Sequence, residues 1–219
     1  MTEIDLLKKY PKSNRKLDER QNLATKEHKI NAQKFDFEYF DGDRFSGYGG
    51  YNYNPKFWVD TVKIFLDFYK LKSDSKILDV GCAKGFMIYD FKQALPDAEI
   101  LGIDVSDYAI LNCKKEIKDF IKKGNANDIP FEDNYFDLVI SINTIHNLDL
   151  ENCKKAIKEI SRVTKKDSFL TVDAWRNDKE KENLMKWNLT AKTYMHTEEW
   201  KKLFDDLEYK GDYWWFIAE

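Results

Sequence analysis

This 219-residue sequence lacks most of the features that would make it a membrane, secreted or metal-dependent protein. No run approaches the ~20 consecutive apolar residues that a bilayer-spanning helix needs. The first 30 residues are rich in Lys and Glu and hold no apolar signal-peptide core. Only three cysteines occur, Cys82, Cys113 and Cys153, with no CxxC pair; an odd, scattered set is no disulfide framework and suits a reducing compartment. With three dispersed histidines, no tetrahedral zinc spacing can be drawn, so no metal is expected. Four prolines and nine glycines exclude collagen-like or linker composition. There is no basic excess: 36 Lys+Arg against 39 Asp+Glu leave a net charge of −3, which argues against a large nucleic-acid surface. These absences point to a soluble, cytoplasmic chain with no nucleic-acid or membrane partner.

What is present is a core. Hydrophobic residues make up 42% and aromatics 15%, enough for one sizeable domain. Residues 1 to about 35 are polar with weak helical periodicity, and an aromatic, Gly-rich stretch follows from Phe35 to Tyr53. Residues 1–53 therefore read as a helical arm and lid, and 54–219 as the main domain. Asn54-Pro55 signals a helix start, and Trp58, Val62, Phe65, Leu66 and Tyr69 extend an amphipathic helix to about Leu71. Strands at Lys76–Val80, Glu99–Asp104, Phe120–Lys123, Phe136–Ile142 and Ser168–Ala174 then alternate with helices at Phe86–Leu95, Ser106–Lys118 and Leu150–Val163. Helical segments follow at about Asp178–Leu189 and at Glu198–Leu207, the latter capped by Thr197, before an apolar run at Tyr213–Ala218. Buried, non-alternating strands separated by helices predict an α/β fold: a doubly wound, mostly parallel sheet.

The first strand-to-helix turn reads Asp79-Val80-Gly81-Cys82-Ala83-Lys84-Gly85. A Gly-rich turn there brings backbone N–H groups close to a ligand beyond the strand ends. It is not a dinucleotide fingerprint, because Ala83 and Phe86 stand where glycines are needed, and no G-x-x-x-x-G-K-S/T loop occurs. Asp79 would repel a pyrophosphate and attract a cation. Asp104, ending the next strand, can accept both hydroxyls of a ribose. A cationic nucleoside without phosphates describes S-adenosylmethionine.

The sequence resembles the class I S-adenosylmethionine-dependent methyltransferases over about residues 75–175. Asp79 to Gly85 is similar to the family's D/E-x-G-x-G-x-G motif, with Ala83 in place of the middle glycine, an exchange that expects negative φ there. Asp104 matches the ribose-binding acid, with Val105 beside it. Gly124 to Phe131 and Asn134 to Val139 resemble the run "G-D-A-x-x-L-P-F … F-D-x-V". The resemblance implies a Rossmann-like methyltransferase fold and S-adenosyl-L-methionine as cofactor, held by Asp79, Gly81, Cys82, Ala83, Gly85, Asp104, Val105, Asn125, Ala126 and Asn143. Asn125 replaces the usual Asp and keeps an acceptor for the adenine amino group without its charge. The family usually ends in a hairpin with an antiparallel seventh strand; here so little chain follows Leu207 that the hairpin is either very tight or one strand short. A reduced edge would leave room for a second copy in a homodimer.

The acceptor is expected at the end of the fourth strand, where His146 is the titratable group with a near-neutral pKa. It reads either as general base or hydrogen-bond donor to substrate, or as a residue that orients the loop. Arg44, Tyr48, Tyr51 and Tyr53 from the lid, with Asp173, Trp175 and Arg176 after the fifth strand and then Tyr194 and His196, are the candidate substrate residues. The arginines suit a carboxylate or phosphate on the acceptor, and the aromatics a cationic amine. Trp214-Trp215-Phe216 reads as core. The leading reading is methyl transfer to a hydroxyl or amine of a small metabolite, such as a sugar or another biosynthetic intermediate. Alternatives are an RNA or protein methyltransferase and a non-methylating S-adenosylmethionine-binding module.

Overall fold

A computed structural model describes residues 1–12, 15–49 and 52–219. Within them the arm forms α1 (Leu17–Leu23), α2 (Lys26–Ala32) and α3 (Phe37–Phe40), followed by α4 (Pro55–Tyr69). The alternation then runs β1 (Lys76–Val80), α5 (Phe86–Ala94), β2 (Glu99–Asp104), α6 (Asp107–Leu111), β3 (Ile121–Lys123), β4 (Phe136–Ile142) and α7 (Leu150–Val163). It ends with β5 (Thr164–Trp175), α8 (Asp178–Trp187), β6 (Met195–His196), α9 (Thr197–Asp206) and β7 (Asp212–Phe216).

Local chemistry sets the main boundaries. The Asn54 side chain accepts the Lys56 amide and Pro55 opens the first turn of α4, which stops at Lys70 in a left-handed conformation. Asp149 caps α7 by accepting the Asn152 amide. The helix expected over Ser106–Lys118 breaks instead into α6 and a 3-10 turn over Lys115–Phe120. After the break, Ile117 of the 3-10 turn and Ile121 of β3 are buried against Gly85. Strand β5 begins directly at the end of α7, earlier than its apolar run, because Thr164 and Asp167 already pair with Phe136 and Leu138 of β4; Lys166 there lies 2.8 Å from Asp137. The cap of α9 is His196 rather than Thr197: its ring accepts the Glu198 amide.

The sheet order is β3-β2-β1-β4-β5, with β6 and β7 both on the far edge of β5. Every pairing is parallel. The terminal strand is therefore neither missing nor antiparallel: α9 acts as a crossover, and β7 runs alongside Phe169–Asp173 while β6 meets Ala174 and Trp175. Its outer edge is covered from within the chain, since Tyr213 exchanges backbone hydrogen bonds with Thr2 and Ile4. The pleat sends Leu78, Val139 and Trp215 toward α7 and α9, and Ile77, Leu138 and Phe169 toward α4 and α5. Trp215 is core, as expected, whereas Trp214 and Phe216 face the opposite side and border a cavity.

The arm joins this second layer through Leu6, which is 2% exposed beside Val62 and Phe65. Leu6→Ala is expected to destabilise the chain by about 2–5 kcal/mol, measured by urea unfolding; an unchanged midpoint would mean that the arm is not docked.

Candidate functional site

The β1–α5 turn is built by its neighbours. The amides of Gly81 and Cys82 both donate to the carbonyl of Ile103, which pins the turn onto the end of β2. Gly81 adopts φ +81° with the Thr144 side chain pressed where a Cβ would stand. Ala83 has φ +50°, opposite in sign to the expectation, so a residue with a Cβ occupies the left-handed region that favours glycine. Its amide donates to Asp104 Oδ2 at 2.7 Å, and the Ser106 amide donates to Oδ1 at 2.8 Å.

Two carboxylates are thus buried at the ends of adjacent strands. Burial, with the charge of Asp104 beside it, pushes Asp79 up to about 7. Burial also raises Asp104, against the pull of its backbone donors. No side-chain cation among the described residues offsets either group. Lys84, the cation of the loop, is turned to the arm: its Nζ lies 2.6 Å from both oxygens of Asp41, which also accepts from Tyr108 at 2.7 Å. That triad clamps α3 over the turn.

Above the turn lies a cavity of about 840 Å³. Gly81, Ala83, Asp104, Val105, Asn125, Ala126 and Asn143 line it; Asp79, Cys82 and Gly85 lie behind the wall and shape it. Cys82 fills the space over Gly102, and Gly85 (φ +70°) abuts Ile117 and Ile121. Asn125 is exposed, with its Oδ1 facing the Asn127 amide at 3.3 Å. Asn143 is locked by its amide and Oδ1, both bonded to Thr171 Oγ1 at 2.9 Å.

The opposite wall holds Arg44, Tyr48, His146, Asp173 and Arg176. Tyr48 is a brace: its hydroxyl accepts the Leu189 amide at 2.7 Å and its ring stacks on Trp187 at 5.5 Å. Arg176 is committed to Glu180 at 2.6 Å. Four expected residues do not line the cavity: Tyr53, Trp175, Tyr194 and His196, the last of which caps α9. Tyr53 donates to Asp90 at 2.6 Å and packs on Tyr89 and Phe86, because α5 offers it an acceptor and an aromatic shelf. Trp175 packs on Tyr194 under Lys181 and does not line the cavity. Tyr51 lies outside the described residues. Tyr10, Arg15, Trp58 and Trp187 line the cavity without having been read as site residues from the sequence, since nothing in a polar arm or a helix period marks which side chains fold inward toward it.

His146 is buried and neutral. Its Nδ1 accepts the Asp173 amide at 3.0 Å, leaving the proton on Nε2, and burial pushes its pKa down to about 3. Asp173 is fixed on both sides of its backbone, by His146 and by the Trp200 indole at 3.0 Å, and burial raises its carboxyl to about 7 against the attraction of Arg15.

Residues 71–212 match the family described as a methyltransferase domain. The chain belongs to the class I S-adenosylmethionine-dependent methyltransferase family. This methyltransferase domain is 33% identical over 141 residues to an Arabidopsis thaliana tRNA (carboxymethyluridine(34)-5-O)-methyltransferase, covering 64% of this chain and 33% of that one. It is 34% identical over 116 residues to the demethylmenaquinone methyltransferase of Symbiobacterium thermophilum, covering 49% of this chain and 45% of that one. Across the curated relatives named here the match spans less than half of their length. Among solved structures, the YcgJ protein of Bacillus subtilis shares the fold with a TM-score of 0.55 at 19% identity, over 67% of this chain and 66% of that one.

S-adenosylmethionine, the methyl donor of the family, fits this domain: the cavity reaches Asp104 and Asn125, and the uncompensated carboxylate pair suits a ligand of positive charge. Among the described residues no helix is long and apolar enough to cross a membrane, and no cluster of side chains forms a metal site.

Two outcomes follow for this domain. Below about 7 Asp79 is mostly protonated in the free protein, so a cationic ligand must displace that proton; affinity for S-adenosylmethionine should rise from pH 5.5 and flatten above about 7. Calorimetry at several pH values measures it, and a pH-independent affinity would remove Asp79 from cation binding. Ala83→Gly should raise stability by up to about 1 kcal/mol by relieving the left-handed Cβ, read as a higher urea midpoint.

Proposed function

We propose that this chain transfers the methyl group of S-adenosylmethionine to a hydroxyl or amine of a small metabolite, a sugar or another biosynthetic intermediate, in the cytoplasm. The observation that carries this reading is the cavity itself. Its volume of about 840 Å³ suits one nucleoside cofactor beside a small acceptor, and its outer wall is the chain's own arm, with Tyr10, Tyr39, Phe40 and Tyr48 folded across it. Free cysteines suit the reducing compartment.

The bound cofactor supplies a methyl group already activated on a sulfonium, so the protein's task is alignment and proton removal. Asn143, Thr144 and the turn at Gly81 hold the donor side. His146, neutral and protonated on Nε2, serves as a donor to the acceptor and not as its base. Asp173 takes the acceptor's proton: its carboxyl borders the cavity, its backbone is held at both ends, and its raised pKa gives it basic strength near neutrality.

A second reading, methylation of an RNA-borne nucleoside, is favoured by the likeness to the Arabidopsis enzyme. Release of S-adenosylhomocysteine across a panel of hydroxyl and amine metabolites, with bulk tRNA as a parallel arm, tests both. Turnover with a small acceptor should rise with pH and level off near 7, and Asp173→Asn should lose about a hundredfold or more while still binding S-adenosylhomocysteine. Turnover with tRNA alone would overturn the small-acceptor reading.

A further inference from the structure

The arm carries a guanidinium that the reading above leaves unused. Arg15 lines the cavity with its Cζ 4.6 Å from the ring centre of Phe216 and 5.4 Å from that of Trp187. Its buried Nε has no hydrogen-bond partner among the described residues. No carboxylate among them reaches it within ion-pair distance: Glu219 sits 3.6 Å from Lys12, and Glu219 and Asp173 act on Arg15 only as more distant charges. Arg176, on the same wall, is by contrast forked onto Glu180.

Arg15 is half-buried, and a buried N–H such as its Nε left without an acceptor is costly, because arginine does not escape by losing its proton. Ring faces attract the flat of the group but leave its in-plane N–H donors free. Those donors match the two oxygens of a carboxylate in spacing and plane. The groups that act on Arg15, namely Tyr10, Asp173, Trp187, Phe216 and Glu219, belong to the arm and the β5–β7 wall, and none to the Gly81–Gly85 turn.

We propose that Arg15 is the specificity residue for an acceptor that carries a carboxylate, gripping that group against Trp187 and Phe216 while the acceptor's hydroxyl or amine lies toward His146 and Asp173. This rests on the small-acceptor reading. The same fork would also suit the methionine carboxylate of the cofactor, and the test separates the two.

With the full chain saturated by S-adenosylhomocysteine, benzoate, phenylacetate and succinate are titrated against benzamide, phenylacetamide and succinamide by calorimetry and thermal shift. The carboxylates should bind about tenfold more tightly than their amides or better, and Arg15→Gln should erase that preference while S-adenosylhomocysteine affinity stays within about threefold. Equal binding of acids and amides, or a preference that survives Arg15→Gln, overturns the proposal. So does a loss of about tenfold in S-adenosylhomocysteine affinity with methylthioadenosine unaffected, which would make the cofactor's carboxylate the partner. Should Arg15→Gln not fold, Arg15→Lys keeps the charge and the packing stem but loses the fork, and should weaken the preference. If the unaltered chain fails to bind S-adenosylhomocysteine, the methyltransferase reading falls; nucleoside binding with indifference to carboxylates removes only the role of Arg15.

Discussion

Asp104 at the cavity wall and Asp79 just behind it are buried with no cation among the described residues to balance them, and the surrounding architecture holds them there. Two carboxyls at the ends of adjacent parallel strands are kept dry by Cys82, Ile103 and the turn above them. Asp104 survives burial because two backbone amides point at it; Asp79 has no such donors and rises further. A free chain carrying this pair is stabilised less as pH rises from about 4 to 7, because the unfolded carboxyl of Asp79 ionises first. Positive charge on a ligand offsets that cost, which ties the site's electrostatics to the chemistry of a sulfonium donor.

The strained turn follows from the same requirement. Ala83 sits at positive φ because its amide must reach Asp104, and the tilt of the chain at Gly81 is fixed by Thr144 from β4's end. Lys84 is paired with Asp41, which also accepts from Tyr108, so the cation of the turn is engaged by the arm. The arm in turn lines the outer wall of the cavity. Its attachment at the far edge of the sheet, through Thr2 and Ile4 on β7, depends on that strand running parallel, a consequence of α9 carrying the chain back across the sheet.

Much of this was legible beforehand where a single residue type has a single use. The buried strands at Lys76–Val80, Glu99–Asp104 and Phe136–Ile142 announce themselves as apolar runs, and the glycines at 81 and 85 mark positions that need positive φ. The Asn54-Pro55 start of α4 needs no tertiary help. Elsewhere the pattern was mute. The polar beginning of β5 looks like loop because it is a strand only through its pairing with Phe136 and Leu138 of β4, and the break after α6 places Ile117 against Gly85. Tyr53 and Tyr48 stand in the same aromatic stretch, yet one meets Asp90 outside the cavity and the other braces Leu189 within it.

The sequence by itself determined the strand-helix alternation, the nucleoside-type turn and the acids at 79 and 104, because each is a local signal of few residues. Only the tertiary structure decided that His146 is neutral with its proton on Nε2, that Asp173 is buried beside it with a raised pKa, and that Arg15 enters the cavity. Protonation depends on burial and on which amide reaches which ring nitrogen. Those are properties of residues brought together from distant parts of the chain, and no spacing along it encodes them.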